Sequence, residues 1–561
     1  MFDNIENKIK EIRTDDFYKP YIEELKSAYE NDKDTPLLTL TYKDFMTFIK
    51  TGSRKESEKP YFHNRRRLGY LTMLALIYPD EEKYIDDLCE VVWAICSEVS
   101  WVIAPHLHCN LTEHKDLIDL FAAETGLYLA ELVYLLGDRI PKNICDLIYS
   151  EVSYRIFDTM ENTQSWWETL KSNWAAVCSG SVGMAYIYLA PERFEKVKPR
   201  IMKCMSNYLS GIGDDGCCTE GIDYWYYGFS FYLHFAEMLY RFCGEDIRHE
   251  EKVHKLVLYH QNMIMRKNTV VSFADGKREV YFIHIGLFNY LKNNYPEVKI
   301  PSIDFYTPET WKNLSGLGHS MTCQKPSWLI RDFLWSDVSL KPDSDFDGDN
   351  HVYYDKTQWY MNKKRTYSFA AKGGHNLEEH NHNDVGSFII ATDNGQMICD
   401  LGAMEYTRAS LIPETKYNFF HYSSLGHNVP IVNGEEQGAG ESFKAKNVCA
   451  SEDIFRLDIE GAYEGDINRI TRTFELKENS IVLTDEFDGV KSITERFVSV
   501  VKPEIVVSGV RIGDVLLKTD AQAKVDVRTI SDHSQMPIDV YTVDFLVETT
   551  CFKAIFEVQE K

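Results

Sequence analysis

The period at which apolar residues recur changes once along this chain, and this change constrains the fold more than any other feature. From about residue 5 to 295, apolar side chains return every three or four positions, as on one face of an α-helix. After about residue 325 they alternate with polar side chains, as in a half-buried strand. A chain of 561 residues is also too long for a single core. We therefore expect an α+β multidomain protein with one domain over residues 1–325 and a second over residues 326–561.

The helical part has the pattern of successive helical hairpins. The stretch DLIDLFAAETGLYLAELVYLLGD places Leu120, Leu132 and Leu136 at helical spacing, and Gly137 follows as a C-cap. Pro141 then begins the next helix. Comparable segments recur up to about residue 293, roughly ten or more helices in all. The pattern predicts a bundle, a solenoid or a toroid.

The β part contains three hairpin signals. Asp393–Asn394–Gly395 and Glu478–Asn479 each separate two alternating runs, and Asn433–Gly434 forms a third turn. Turns this short join antiparallel strands. We therefore expect long antiparallel sheets packed face to face as a β-sandwich.

The net charge of −25 excludes two classes of partner. An acidic surface repels nucleic acid and anionic membranes, so we expect neither as a partner. No stretch approaches the ~18 consecutive apolar residues that span a membrane. An anionic substrate is not excluded, because a local basic cleft can lie on an acidic body.

The thirteen cysteines do not have the pattern of a disulfide framework. Their number is odd, and no CxxC pair with zinc-finger spacing occurs. The first residues, MFDNIENKIKEIRTDDF, contain no apolar core of a signal peptide. We therefore expect free thiols and a cytoplasmic protein, or a secreted or periplasmic one if a signal peptide has been removed.

Residues 375–388, HNLEEHNHNDVGSF, hold three of the 17 histidines, and we call them the histidine segment. On a strand, His380 and His382 would share one face. A metal site needs more ligands than this pair, and Asp400 and His427 are the candidates that complete it. The alternative is a hydrogen-bonded polar cleft without a metal. The His-x-His-x-Asp-His signature of metallo-β-lactamase-like hydrolases is not met, because Val385 occupies its last position.

Two stretches of the helical part are rich in aromatic residues. SWWETLKSNWAAVCSG carries three tryptophans near Asn173, and DDGCCTEGIDYWYYGFSFY carries Glu220, Tyr224 and Tyr227 between glycines. Aromatic rings beside glycines are typical of a cleft wall that a sugar chain approaches closely. Core packing is the alternative for most of these rings.

Four segments together resemble the heparinase II/III-like polysaccharide lyases. They are KSNWAAVCSG, EGIDYWYYG, KGGHNLEEHNHNDVGSFII with ICDLG, and SSLGHNVPIVNGEEQ, and the third is the most specific. The resemblance runs through most of the chain. It implies an N-terminal (α/α) toroid followed by a C-terminal antiparallel β-sandwich, and an acidic polysaccharide or oligosaccharide as substrate.

The resemblance also implies roles for individual residues. Asn173 corresponds to the residue that neutralises the uronate carboxylate, Tyr227 to the catalytic tyrosine and His380 to the catalytic histidine. Tyr224 is the competing assignment for the tyrosine. The implied ligands of one structural zinc ion are His382, Asp400 and His427. Polar residues near these segments are candidates for substrate contact: His106, Glu220, Tyr224, Lys372, Asn376 and Arg408.

The predicted activity is β-elimination at a uronic acid, with a glycosaminoglycan such as chondroitin, hyaluronan or heparan sulfate as the expected substrate. An alginate or oligo-alginate lyase is the alternative enzyme. A non-catalytic glycan-binding protein on the same scaffold is a further alternative, and so is a zinc-dependent hydrolase, which would release saturated products.

Overall fold

A computed structural model describes Phe2 and residues 4–107, 117–280, 284–301, 325–344, 346, 350–533 and 536–559. Within these ranges helices dominate up to residue 334, and antiparallel strands dominate from residue 350 onward. The chain is therefore an α+β multidomain protein, as the change of period predicts.

The helical part consists of helices that pack against their neighbours along the chain. The α-helices span Ile5–Thr14, Lys19–Asp32, Tyr42–Thr51, Lys55–Ile77, Glu82–Cys96, Leu120–Leu136, Lys142–Val152, Asp158–Asn162, Asn173–Leu189, Pro191–Gly211, Ile222–Tyr224, Ser230–Cys243, Glu251–Leu256, Tyr259–Met263, Ile285–Asn294 and Pro326–Leu334. Leu120–Leu136 packs against Asn173–Leu189, which also packs against Pro191–Gly211 and Ser230–Cys243. The helix that carries Asn173 therefore lies at the centre of this group.

The predicted helix at residues 116–138 is confirmed as Leu120–Leu136, and it ends at Gly137, whose φ is 53°. Pro141 caps the next helix, Lys142–Val152. By length and composition the stretch Leu120–Arg139 could cross a membrane, but 72% of its most apolar window is buried inside the protein. It therefore has the character of a core helix.

The strands form antiparallel sheets. They are β1 (Ile264–Arg266), β2 (Thr269–Val270), β3 (Asn350–Tyr354), β4 (Trp359–Lys363), β5 (Ser368–Lys372), β6 (His375–Asn376), β7 (Phe388–Thr392), β8 (Gly395–Ile398), β9 (Ile431–Val432), β10 (Gly440–Lys444), β11 (Lys446–Ala450), β12 (Ile454–Asp458), β13 (Arg469–Lys477), β14 (Ser480–Asp488), β15 (Ile493–Ser499), β16 (Glu504–Val506), β17 (Gly509–Ile512), β18 (Val515–Lys518), β19 (Ala523–Ser531), β20 (Pro537–Val547) and β21 (Cys551–Val558). Among the described residues, the larger sheets have the orders β3-β4-β5-β7-β8, β11-β12-β13-β14-β21-β18-β17-β16 and β19-β20-β15-β9.

The sheet β3-β4-β5-β7-β8 lies between two cores. Trp359 and Ile389 join the core shared with the helices, whereas Tyr360 and Phe388 join the core shared with the other sheets. Neighbouring residues of a strand point to opposite faces, so each strand contributes to both cores. The ring of Phe388, for example, lies 5.0 Å from that of Phe474 on β13. The order of layers is therefore helices, this sheet, and then the remaining sheets.

The three predicted hairpin turns are confirmed. Thr392 pairs with Gly395 and Lys477 pairs with Ser480, so both turns have two residues. Asn433 and Gly434 have φ of 57° and 82°, the left-handed conformation that a tight hairpin turn requires. These turns are local features, and their residue types determine them.

The helix Pro326–Leu334 follows the predicted boundary between the domains and packs on the helical side. It contacts Lys55–Ile77 and Ile285–Asn294, and its Trp328 belongs to the helical core. The first strand of the β part begins at Asn350. By packing, the helix belongs with the helices that precede it.

The cysteines of the described ranges carry free thiols, in agreement with the prediction. Cys217 and Cys218 are adjacent and fully buried. Burial raises the pKa of both thiols well above its usual value. Buried neutral thiols behave as small apolar side chains.

Candidate active site

The histidine segment lies where the β part meets the helices, and most of it is not a strand. His380 has the left-handed conformation, with φ of 58°. The backbone makes turn hydrogen bonds, such as Asn381 N–H to Glu378 O at 3.2 Å, instead of strand pairs. The prediction that His380 and His382 share one face of a strand is therefore wrong. Their side chains nevertheless meet at one residue, Asp275.

His380 is held by three side chains. Its Nδ1 lies 2.7 Å from Asp275 Oδ2 and its Nε2 lies 3.6 Å from Glu220 Oε2. Its ring stacks on that of Tyr224, with centroids 3.8 Å apart. Burial opposes the charged imidazole, but the hydrogen bond and charge of Asp275, with the charge of Glu220, outweigh it and raise the pKa of His380. The side chain remains 25% exposed, so a ligand can reach it.

Asn173 and Glu220 form a buried pair beside His380. Asn173 begins the helix Asn173–Leu189; its backbone N–H donates to Glu220 Oε1 at 3.0 Å and its Nδ2 donates to Oε2 at 2.5 Å. Burial raises the pKa of Glu220, although the charge of His380 and the hydrogen bonds from Asn173 oppose this. One carboxylate oxygen therefore faces both the amide of Asn173 and the imidazole of His380.

Tyr224 joins the two parts of the chain at the site. Its ring lies at 23° to that of His380, and its hydroxyl lies 3.1 Å from the hydroxyl of Tyr406 in the β part. Burial raises the pKa of Tyr224, so the phenol is neutral. The arrangement fixes the plane of the His380 ring.

Tyr227 lies one turn further, within the π-helical stretch Trp225–Phe229, and has a different environment. Its hydroxyl donates to Glu124. Lys325 Nζ donates to the two oxygens of Glu124 at 2.8 and 3.0 Å and lies 3.9 Å from the centroid of the Tyr227 ring. Burial, followed by the charge of Glu124, raises the pKa of Tyr227. Tyr227 therefore carries its proton and has a carboxylate with which to exchange it.

His382, Asp400 and His427 come together as a fully buried group whose ligand atoms lie within 4.8 Å of one another. His427 Nδ1 is 3.0 Å from Asp400 Oδ2, and its Nε2 is 3.0 Å from the backbone oxygen of His421. His382 Nε2 is 3.3 Å from Asp275 Oδ1, whereas its Nδ1 is buried without a hydrogen-bond partner. Two imidazoles and a carboxylate are zinc ligands, and outer hydrogen bonds of this kind orient ligating histidines. The group can therefore bind one metal ion.

The structure positions His106 and Arg408 at different places. The His106 ring lies 4.8 Å from that of Trp174, and its Nδ1 lies 2.7 Å from Asp119 Oδ2. Arg408 is exposed and donates to Ile49 O at 3.3 Å. His106 thus borders the cleft through the neighbour of Asn173, whereas Arg408 fastens the β part to a helix end.

Lys372 and Asn376 are fully buried and are used inside the protein. Lys372 Nζ donates to Asp384 Oδ1 at 2.6 Å. Asn376 Nδ2 donates to Gln437 Oε1 at 3.1 Å and to Gly438 O at 2.9 Å. Both side chains order the histidine segment.

Sequence reasoning missed several residues of the site. Asp275 is 105 positions from His380, and its only local signal is an Asp-Gly turn. Glu124 had a usable signal, since a charged residue inside a long apolar helix is rarely buried without a partner. Lys416 lies in the helix Pro413–Lys416, with its Nζ 4.8 Å from the Tyr422 ring centroid. It makes no salt bridge with any residue that the structure describes.

Comparison with known proteins finds similarity in structure but not in sequence. No family profile matches the sequence, and no curated protein is significantly similar to it in sequence. A solved structure of heparinase III has a TM-score of 0.60 at 13% identity, covering 100% of this chain and 92% of that chain. A heparan sulfate lyase from Pedobacter heparinus has a TM-score of 0.57 at 9% identity, covering 100% of this chain and 91% of that chain.

A chondroitin AC lyase from Streptomyces coelicolor A3, solved in complex with chondroitin sulphate, is also similar. Its TM-score is 0.52 at 10% identity, and the match covers 100% of this chain and 83% of that chain. At these identities the likeness shows a shared fold alone. This chain therefore has the fold of solved polysaccharide lyases.

Proposed function

We propose that this protein is a polysaccharide lyase that cleaves a uronic-acid-containing glycan by β-elimination. The observation that carries the proposal is the surroundings of His380: its Nδ1 meets Asp275, its ring stacks on Tyr224, and its Nε2 lies beside the pair of Asn173 and Glu220. A proton acceptor next to a neutral amide donor is what elimination α to a carboxylate requires. The fold shared with solved polysaccharide lyases supports the proposal.

The proposed reaction begins at C5 of the uronate, whose proton is weakly acidic because it lies α to the carboxylate. His380 Nε2 accepts this proton, the electron pair forms the C4–C5 double bond, and the C4–O bond breaks. Asn173 stabilises the charge that develops on the carboxylate. The leaving oxygen takes a proton from Tyr227. No water is consumed, and the step needs no redox cofactor.

We assign the acid role to Tyr227 and not to Tyr224 because their hydroxyl groups have different partners. The ring of Tyr224 stacks on that of His380, and its hydroxyl contacts that of Tyr406. The hydroxyl of Tyr227 instead meets Glu124, and Lys325 balances the charge of that carboxylate. A phenol that donates its proton must regain one from solvent, and the Glu124 carboxylate, which contacts the hydroxyl, can relay that proton.

We propose one structural zinc ion on His382, Asp400 and His427. The unpartnered Nδ1 of His382 supports a ligand role for this side chain. When bound, the ion would supply binding energy that fixes the histidine segment against the end of β8. The elimination needs no metal-bound hydroxide, so the metal has no part in the reaction itself.

We propose a glycosaminoglycan as the substrate class. The solved lyases with this fold are described as acting on heparan sulfate or bound to chondroitin sulphate. Lys416, half-buried near the site, has no salt-bridge partner among the described residues and is available to an anionic group of the sugar chain. Alginate and non-catalytic glycan binding are the alternatives that the experiment below separates.

The finer architecture is part of the same proposal. We propose that the helices close into an (α/α) toroid and that the sheets form a β-sandwich beside it. The boundary, expected at residue 325, is placed between Leu334 and Asn350, because the helix Pro326–Leu334 packs with the helices that precede it. The pairwise packing of successive helices and the core shared between sheets support this arrangement. We also propose that the protein is cytoplasmic.

The experiment that tests the function is an ultraviolet assay of the conjugated C4–C5 double bond. Heparan sulfate, chondroitin sulfate, hyaluronan and alginate are each incubated with the full-length protein and with His380→Ala. We expect absorbance to rise with at least one glycosaminoglycan. The rate of this rise should be at least about a hundredfold lower for His380→Ala. A rise with alginate alone would reassign the substrate. Binding without any rise would establish the non-catalytic alternative.

A further inference from the structure

The loop after β2 comes from the helical part and is built into the β part. Ser272 Oγ donates to Asp400 O at 3.0 Å, and Ala403 N–H donates to Gly276 O at 3.0 Å. Gly402 has φ of 62°, and a Cβ there would lie 1.9 Å from Gly276 O, so glycine is required for this approach. The loop is thereby fixed against the strand end that carries a candidate metal ligand.

Asp275 lies in this loop and contacts two histidines with its two oxygens. Its Oδ2 is 2.7 Å from His380 Nδ1, and its Oδ1 is 3.3 Å from His382 Nε2. The side chain is 3% exposed. Each of its two oxygens therefore faces one ring nitrogen, and a carboxylate accepts hydrogen bonds through both oxygens and has no N–H group to donate.

The acceptor character of Asp275 determines which ring nitrogens carry protons. His380 must present its Nδ1–H, which leaves Nε2, the nitrogen 3.6 Å from Glu220 Oε2, free to accept a proton in the neutral ring. His382 must present its Nε2–H, which leaves its buried, unpartnered Nδ1 free to bind a metal. The two neighbouring histidines therefore need opposite tautomers, and one carboxylate fits both.

We infer that Asp275 is a positioning residue that sets the tautomer and orientation of both histidines, His380 for proton transfer and His382 for metal binding. The part that concerns His380 rests on the proposed lyase function. The part that concerns His382 rests on the contacts alone. Asp275 would thus join the reaction cleft to the metal group, although it touches neither substrate nor metal.

The test compares Asp275→Asn with Glu379→Gln in the full-length protein. The amide of the Asp275→Asn variant would offer one acceptor oxygen instead of two, so at least one histidine loses its acceptor. Glu379 is exposed and lies next to His380 in sequence, so its change removes the same charge without removing a hydrogen bond of either histidine. Zinc affinity is measured by titrating metal-free protein with Zn²⁺ alone. The protonated ring nitrogens are identified by nitrogen NMR, with His380→Gln to assign the signal.

We expect the wild-type His380 to carry its proton on Nδ1 in the neutral form. In Asp275→Asn we expect zinc affinity to fall by about 10- to 100-fold, or kcat to fall by at least about tenfold with KM unchanged, or both. Glu379→Gln should stay within about twofold of the wild type. A neutral His380 protonated on Nε2 in the wild type would overturn the inference without any variant. An Asp275→Asn protein that matches Glu379→Gln in zinc affinity and kcat would overturn it as well. If the wild type were not a lyase, the zinc and NMR measurements would still decide the role of Asp275.

Discussion

At the residue scale, Glu220 is a carboxylate beside His380 and Asn173 whose charge would oppose that of an acidic sugar bound there. It is 4% exposed, and its Oε2 faces both His380 and the Nδ2 of Asn173. An ionised carboxylate here would repel a uronate carboxylate. Because burial raises the pKa of Glu220, the neutral form persists to higher pH than in an exposed glutamate. Substrate binding should therefore be best while Glu220 is protonated.

This reasoning predicts a pH dependence of KM. As pH rises through the raised pKa of Glu220, the group becomes charged, and KM for an anionic glycan should increase by roughly tenfold, the effect of about one pKa unit of interaction energy. Glu220→Gln should remove this increase. Steady-state kinetics across pH test it, with Glu379→Gln as the control because Glu379 is an exposed carboxylate near the same histidine. The same rise in wild type and Glu220→Gln would contradict the assignment to Glu220.

The two tyrosines predict a separable pair of effects. Tyr227→Phe removes the proposed acid and should lower kcat by at least about a hundredfold. Tyr224→Phe keeps the ring that stacks on His380 and loses only the contact with Tyr406, so its kcat should fall less. Measurement of kcat for both variants decides between them. A larger loss in Tyr224→Phe would move the acid role to that residue.

The proposed zinc site predicts that His382 and His380, although close in sequence, have different effects on metal binding. His382→Ala and His427→Ala should lose zinc and melt at lower temperature, because a bound structural metal contributes to folding stability. His380→Ala should keep its zinc, since its ring meets Asp275 and Glu220 instead. Elemental analysis and thermal melts of the purified proteins measure both effects. A wild type purified without stoichiometric metal would contradict the zinc proposal.

At the element scale, what the sequence predicts depends on how local the cause is. The turns at Asn433–Gly434 and Asp393–Gly395 follow from their own residues, and both are confirmed. The histidine segment has an alternating sequence pattern, but its backbone is irregular, because side chains from distant parts of the chain bind it. Arg472 on β13, for example, donates to Gly386 O at 3.0 Å and to Asn428 O at 2.7 Å. These contacts are long-range, and no local pattern indicates them.

Arg472 therefore offers a test of how the β part supports the site. It is fully buried between Asp485 and Glu495, and burial, with the charge of Asp485, raises the pKa of Glu495. Arg472→Met should destabilise the protein by about 3–5 kcal/mol, because it leaves a buried charge without its partner. Arg469→Met, an exposed position on the same strand, should change stability by no more than about 0.5 kcal/mol. Urea unfolding followed by circular dichroism compares them, and equal stability of the two variants would contradict the argument.

At the scale of the whole molecule, the site exists because the two parts of the chain meet. Asn173 and Tyr224 come from helices and Glu220 from a turn between helices, whereas His380 comes from the β part. The change of apolar period predicts both parts, and the return of a hairpin accounts for Asp400 near His382. The sequence could not predict which helical residues face the histidines. Asp275 is the clearest case, since its position depends on the docking of one part on the other.

Elimination without water separates a lyase from a hydrolase, and it can be tested by cleaving a responsive glycosaminoglycan in water labelled with heavy oxygen. Mass spectrometry of the fragments then reports whether solvent oxygen has entered the products. A lyase breaks the C4–O bond and keeps every oxygen of the substrate. In fragments analysed before their new reducing ends exchange oxygen with water, we therefore predict an unsaturated terminal uronate and no label at the cleaved bond. Saturated fragments that carry one labelled oxygen would identify a hydrolase and contradict the proposed lyase function.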